Sequence, residues 1–247
     1  MNDIIYYVLS ALAALIILTV HEYSHGYAAY RLGDNTAKNL GRLTLNPIKH
    51  IDPLGALCML FFHFGWAKPV PINLRNLKKP RRDFAIVAFA GPVSNLILSF
   101  FSALVFALLS KTFVGINFSN QFLYNLCFIS VNFMWIFHVM NIGIALFNLI
   151  PLPPLDGSRI LGLILPPKLY FKVLKHERTI YFVFIGWLLV GSVISRILLS
   201  FPAISSNPAL VTLIECLSLS GIFTRLINLI SKAFIAFWYA VIPALKF

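Results

Sequence analysis

Charged side chains are scarce in this 247-residue chain: 11% of the residues are Asp, Glu, Lys or Arg, and only eight of them are acidic. Soluble domains carry roughly 25%, so a water-facing globular surface is excluded. Cysteine is also sparse. Cys58, Cys127 and Cys216 stand alone in apolar sequence with no C-x-x-C pair, which excludes a disulfide framework or a cysteine zinc site and leaves packed free thiols. Internal repeats, low-complexity tracts and long polar linkers are missing as well, and a single domain over 1–247 is expected.

What fills the chain is hydrophobic sequence, 59% of all residues, with a mean hydropathy of +0.84. Several runs reach the roughly 20 apolar residues that cross a hydrocarbon core of about 30 Å, and none alternates as barrel strands do. The expected fold is an α-helical polytopic membrane protein with about five transmembrane helices, near 4–31, 84–110, 121–150, 179–200 and 208–243. Met1-Asn2-Asp3 carries no basic residue and no small-residue cleavage site follows the first run, which therefore reads as a span and not as a secretory signal.

The formal net charge of +12 does not indicate a nucleic-acid partner, because the basic residues fall between spans and not along one groove-sized face. Their distribution sets topology. Ten of the twenty Lys and Arg lie from Arg31 to Arg82 and five more from Arg159 to Arg178. By the positive-inside rule these segments face the cytoplasm and the N-terminus faces out, in a cell membrane. The run Lys78-Lys79-Pro80-Arg81-Arg82 is expected to lie against anionic headgroups of the bilayer.

Between the first two spans, residues 40–77 break the helical pattern. Leu43-Thr44-Leu45-Asn46 alternates as a strand does, Pro47 and Pro53 stop helices, and 54–67 is apolar but only fourteen residues long. A membrane-embedded β-strand or re-entrant region is expected here, followed by the Pro-rich loop Lys68–Asn73. Irregular backbone at that depth must be buried in protein or line a wet cavity.

The polar groups within the apolar spans carry the chemistry. His21 and His25 are four residues apart, so on a helix they project from one face as two ligands of one metal must. Glu22, about 100° around the helix, can reach a water on that metal without becoming a ligand. Neutral imidazoles suit zinc, and catalytic zinc takes three protein ligands. Three ionisable residues within five positions of a membrane helix mark function by default. At about 1.5 Å per residue from Arg31, His25 lies roughly 9 Å and His21 roughly 15 Å inside the helix end, so the metal sits below the membrane surface.

For a third ligand, Asp156 stands out in Pro151-Leu152-Pro153-Pro154-Leu155-Asp156-Gly157, where prolines end the third span and Gly157 permits a tight turn. It also reads as an N-cap for a helix over Ser158–Leu165. Asn95 and Asn148 are amides inside apolar spans, either interhelical hydrogen-bonding groups or donors to a substrate carbonyl and its oxyanion. His138 and Asn141 read as packing or supporting groups. His50 and Asp52 read as loop hydrogen-bonding residues, with orientation of a zinc ligand as the second reading.

Together these motifs resemble the site-2 proteases, a family of intramembrane zinc metalloproteases. The resemblance rests on HEYSHG, GRLTLNPIKHIDPLG, GWAKPVPIN, AGPVSN and FNLIPLPPLDG in that order, over about Thr19 to Leu161. It implies one catalytic zinc ion held by His21, His25 and Asp156, with Glu22 as the catalytic glutamate and Asn95 and Asn148 contacting substrate or supporting the site. No insertion large enough for a PDZ domain and no CBS-like region is seen, as in the compact branch of the family. The implied activity is hydrolysis of peptide bonds in or near transmembrane segments of membrane-protein substrates, as in regulated intramembrane proteolysis. A different class of reading, a non-proteolytic membrane zinc-binding or zinc-transport protein, is left open by the motifs alone.

Overall fold

The computed structural model describes residues 3–55, 67–113 and 120–242. Its longer helices are α1 (Asp3–Arg31), α2 (Pro80–Phe113), α3 (Gln121–Asn148), α4 (Asp156–Ile164), α5 (Pro167–Lys175), α6 (Glu177–Ser200), α7 (Pro208–Leu217) and α8 (Leu219–Val241). Among the described residues, Asp3–Arg31, Pro80–Phe113, Gln121–Asn148 and Gly221–Val241 are long and apolar enough to cross a membrane. The expected span near 179–200 is helical as α6. The one near 208–243 is divided at Ser218, whose extended backbone leaves the helix and whose Oγ accepts the Gly221 N–H as an N-cap.

The second helix is the hub, packing against α1, α3, α4 and α8. Its buried face is made of small or compact residues, Ala88, Gly91, Asn95, Ser99, Ala103 and Ala107, at helical spacing. Lipid tails are as apolar as leucine, so helices in a bilayer gain by close backbone approach, which such residues allow. On α1, Leu9, Ala13 and Ile17 form a buried stripe against Ile136 and Phe137 of α3, and the stripe continues as His21 and His25. Outward faces stay apolar and uncovered, as at Ile97, Phe101, Phe122 and Leu229, which suits contact with lipid. The last helix is tied to the bundle by polar contacts: Trp238 Nε1 donates to the Phe100 carbonyl at 2.7 Å, and Ser231 Oγ lies 2.9 Å from His138 Nε2.

The expected strand over Leu43–Asn46 is not formed; these residues turn. Thr44 Oγ1 accepts the Asn46 N–H at 3.1 Å, the Thr44 carbonyl accepts from His50 Nε2 at 2.7 Å, and Asn46 caps the helical turn Pro47–Lys49. The alternating pattern was produced by two turn-forming polar side chains and not by a half-buried sheet. Among the described residues the β pairing is one isolated antiparallel bridge, Ile51 to Ala67. The centre of the expected re-entrant region, 56–66, lies outside the described residues.

Asp34 organises the loops that follow α1. The chain leaves the helix through Gly33 at φ +109, a conformation glycine adopts without strain. The buried Asp34 carboxylate then accepts from Thr36 Oγ1, from Asn76 Nδ2, and from the N–H groups of Thr36 and Asn73. Burial by itself pushes its pKa up, but these bonds outweigh it and hold the group below its ordinary value. A carboxylate with a depressed folded pKa adds stability above its unfolded pKa, and that stability is lost as pH falls through the folded value. Asp34→Ala is therefore expected to lower stability by about 3 kcal/mol at neutral pH. In thermal unfolding of the detergent-solubilised protein from pH 6 down to pH 3, the gap between wild type and variant should close on the acid side.

Candidate metal centre

Three side chains from distant parts of the chain converge where α1 crosses α2. His21 Nε2 and His25 Nε2 are 3.0 Å apart, and Asp156 Oδ2 lies 3.2 Å from the first and 3.3 Å from the second. Both imidazoles are buried, and Asp156 Oδ2 is a buried oxygen with no hydrogen-bond donor. Donors held about 2.0 Å from a tetrahedral ion are roughly 3.3 Å from one another. The spacing and the donor set of two imidazoles and a carboxylate thus fit zinc.

Each of the three side chains is placed by its own element. The two histidines share a face of α1 because they are one turn apart, and Gly91 of α2 makes room for them. A Cβ built at that position would lie 2.5 Å from His25 Cε1 and Nε2 and 2.6 Å from His21 Cε1. Pro92 follows, with no N–H for the Ala88 carbonyl and a ring that crowds it, which loosens the hydrogen-bond ladder of α2. One residue earlier, the Val87 carbonyl accepts from His25 Nδ1 at 2.7 Å. That bond puts the imidazole proton on Nδ1 and turns the Nε2 lone pair to the centre. On the other side, Asn95 is fully buried with Nδ2 3.2 Å from His21 Nδ1, while its Oδ1 is buried and partnerless.

Asp156 is the first residue of α4, and the cap position is Leu155, without a side-chain cap bond. The N-cap reading is corrected: the carboxylate turns to the two histidines, and its charge is favoured by the helix N-terminus it opens. Gly157 acts by close approach and not by an unusual turn. A Cβ there would lie 2.3 Å from the Leu149 carbonyl and 2.4 Å from that of Ile150, so only glycine lets α4 start against the end of α3. Arg81 fastens the far end of the same helix, donating through Nε to the Gly162 carbonyl and through Nη2 to that of Leu165. Arg82 pairs with Asp83 at 2.9 Å. Part of the basic run assigned to headgroups is thus committed within the protein.

Glu22 stays out of the ligand cluster, half-buried, with Oε2 accepting the Val70 N–H at 2.8 Å. The loop that brings Val70 is pinned on several sides. Arg42 Nη2 donates to the Lys68 and Pro69 carbonyls, the Lys68 N–H to the His50 carbonyl, and the Asn73 N–H to Asp34. Gly26 gives the Val70 side chain its seat, since a Cβ there would come within 3.1 Å of Val70 Cγ1.

The remaining polar residues singled out from sequence lie apart from this cluster. Asn148, the last residue of α3, donates to the Ile144 carbonyl of its own helix at 3.0 Å. His138 bridges Ser99 and Ser231, and Asn141 donates to the Phe137 carbonyl. His50 and Asp52 shape the loop, the latter accepting the N–H groups of Leu54 and Gly55. Sequence reasoning missed Asp34, Arg42, Val70 and Arg81. For Asp34 a signal existed in Gly33-Asp34-Asn35-Thr36, a turn-forming run directly after a helix.

A family model described as peptidase family M50 matches residues 9–192. The "Putative zinc metalloprotease YwhC" of Bacillus subtilis (strain 168) is 43% identical over 190 residues, covering 75% of this chain and 84% of that protein. The "Putative zinc metalloprotease Rip2" of Mycolicibacterium smegmatis is 35% identical over 89 residues, 34% of each chain. The protein of that name in Mycobacterium tuberculosis (strain H37Rv) is 29% identical over 150 residues, 58% of this chain and 52% of the other. No solved structure matches the chain.

Gly91→Ala tests the geometry of the centre. The added methyl displaces both rings, and zinc affinity is expected to fall by about 10-fold or more, read as metal content after dialysis against a weak chelator. Wild-type metal content in that variant would mean that the rings do not rest on α2.

Proposed function

The chain belongs to peptidase family M50, the site-2 protease family of zinc metalloproteases, and we propose that it hydrolyses a peptide bond in or near the transmembrane segment of a membrane-protein substrate. The observation that carries this reading is the convergence of His21, His25 and Asp156 beside Glu22, at the buried meeting point of two membrane-length helices. These three residues would hold the zinc, which when bound polarises a carbonyl and lowers the pKa of water to about 7.

The other roles fall to the chain's own groups. Glu22 has one oxygen anchored by the Val70 N–H; its second oxygen takes a proton from the attacking water and returns it to the departing amine nitrogen. Because the anchor is a backbone N–H, the carboxylate is held in place and aimed. Asn148, at the end of the helix that leads to Asp156, is proposed to contact the substrate backbone. The burial of both histidines limits their contact with bulk water.

A transmembrane helix has its carbonyls hydrogen-bonded and shielded, so it must unwind locally before attack, and its freed polar groups then need partners. We assign that task to the region 40–77, in the manner of β-augmentation. Within Lys68–Asn73 the backbone offers mainly acceptors, because Pro69 and Pro71 have no N–H and those of Lys68, Val70 and Asn73 are committed. The substrate would therefore be met there through its N–H groups. The concentration of Lys and Arg between the end of α1 and the start of α2, and again from α4 to the start of α6, supports an active site on the cytoplasmic side of the cell membrane.

Glu22→Gln and Asp156→Ala separate the roles. In vesicles with a model transmembrane substrate, Glu22→Gln should keep its zinc while cleavage falls by about 10²-fold or more. Asp156→Ala should lose most of its zinc. Undiminished cleavage by the first variant removes Glu22 as the base, and full zinc content in the second removes Asp156 from the ligand set.

A further inference from the structure

A histidine that binds metal through Nε2 must carry its proton on Nδ1, and a buried Nδ1–H needs an acceptor. For His25 that acceptor is the Val87 carbonyl at 2.7 Å. For His21 the neighbour is the Asn95 amide, and the atom 3.2 Å from Nδ1 is Nδ2, a donor that cannot accept. Meanwhile Asn95 Oδ1 is buried with no partner. Both difficulties have one remedy. A half-turn about the Cβ–Cγ bond exchanges the two atoms with no change of shape, and it puts the orphaned oxygen on the imidazole proton.

We propose that Asn95 is the positioning residue for His21: its side-chain oxygen accepts the Nδ1–H, fixes the tautomer that leaves Nε2 free for zinc, and holds the ring plane. The complete burial of Asn95 and its contact with the back of a ligand favour this over contact with substrate. Gly91, Pro92 and Asn95 then form one device along α2: space for both rings, an opened helix ladder beside the Val87 carbonyl, and an amide acceptor one turn on. The inference rests on the zinc reading of the centre, but it is decided by metal affinity and not by proteolysis.

Chelator competition on the purified full-length protein in nanodiscs measures it. Asn95→Leu, which keeps the volume and removes the acceptor, should weaken zinc binding by roughly 10- to 100-fold. Asn95→Asp, which keeps an oxygen in the same place, should bind zinc within a few-fold of wild type. Thermal unfolding of the metal-free proteins shows whether each variant is folded, and Asn95→Ala replaces the leucine variant if that one is not. A leucine or alanine variant with wild-type zinc affinity overturns the proposal, above all if its KM for a model substrate is raised. So does an aspartate variant as weak as the leucine one. Because affinity is read without substrate, the outcome is the same whether or not wild type cuts a chosen substrate.

Discussion

The contact on which the rest of the molecule depends is that of two imidazoles on α1 against the bare Cα of Gly91 on α2. Polar groups inside a bilayer are tolerated only where protein satisfies them, and this crossing does so with little space to spare. The helices approach closely because the residues between them are small. Close approach brings the Val87 carbonyl and the Asn95 amide within hydrogen-bonding distance of the rings. The same α2 carries Arg81, which seizes the end of α4 and so fixes the helix that supplies the third donor. A larger residue at this crossing would move the donors and their supports together.

Much of this arrangement was legible in the sequence, for identifiable reasons. Four membrane-length helices declared themselves by length and hydropathy, and the pair His21 and His25 by helical spacing, because both signals are local and periodic. Asp156 could be singled out only as an isolated acid in apolar sequence; its meeting with the histidines is a tertiary fact. The strand over Leu43–Asn46 failed because alternation is a weak signal when the polar members are Thr44 and Asn46, residues that turn the chain as readily as they line a sheet. The long last span is divided at Ser218, a polar residue that hydropathy averages away and capping chemistry does not, while its second part, Gly221–Val241, remains long and apolar enough to cross a membrane.

The supports of the site were the least legible part. Arg81, Arg42 and Asp34 act through backbone carbonyls and N–H groups, and a side chain that binds backbone leaves no pattern in its partner's residue type. Family resemblance compensates for some of this, since blocks such as GWAKPVPIN and AGPVSN point to regions without saying why they matter. The geometry supplies reasons. Gly26 seats Val70, Gly91 admits two rings, and Gly157 lets one helix start on the end of another.

The distance in sequence between the donors gives the centre a second meaning. His25 and Asp156 are separated by two whole membrane-length helices, so an ion shared between them would be a staple across the chain as well as a reagent. Such a staple would hold only the assembled form, which would link metal supply to assembly. Without an ion the Asp156 carboxylate still faces the two imidazoles, at 3.2 and 3.3 Å, so the three groups would be left to one another. A metal at this centre would thus close the bundle on itself, and its occupancy would mark whether the bundle is complete.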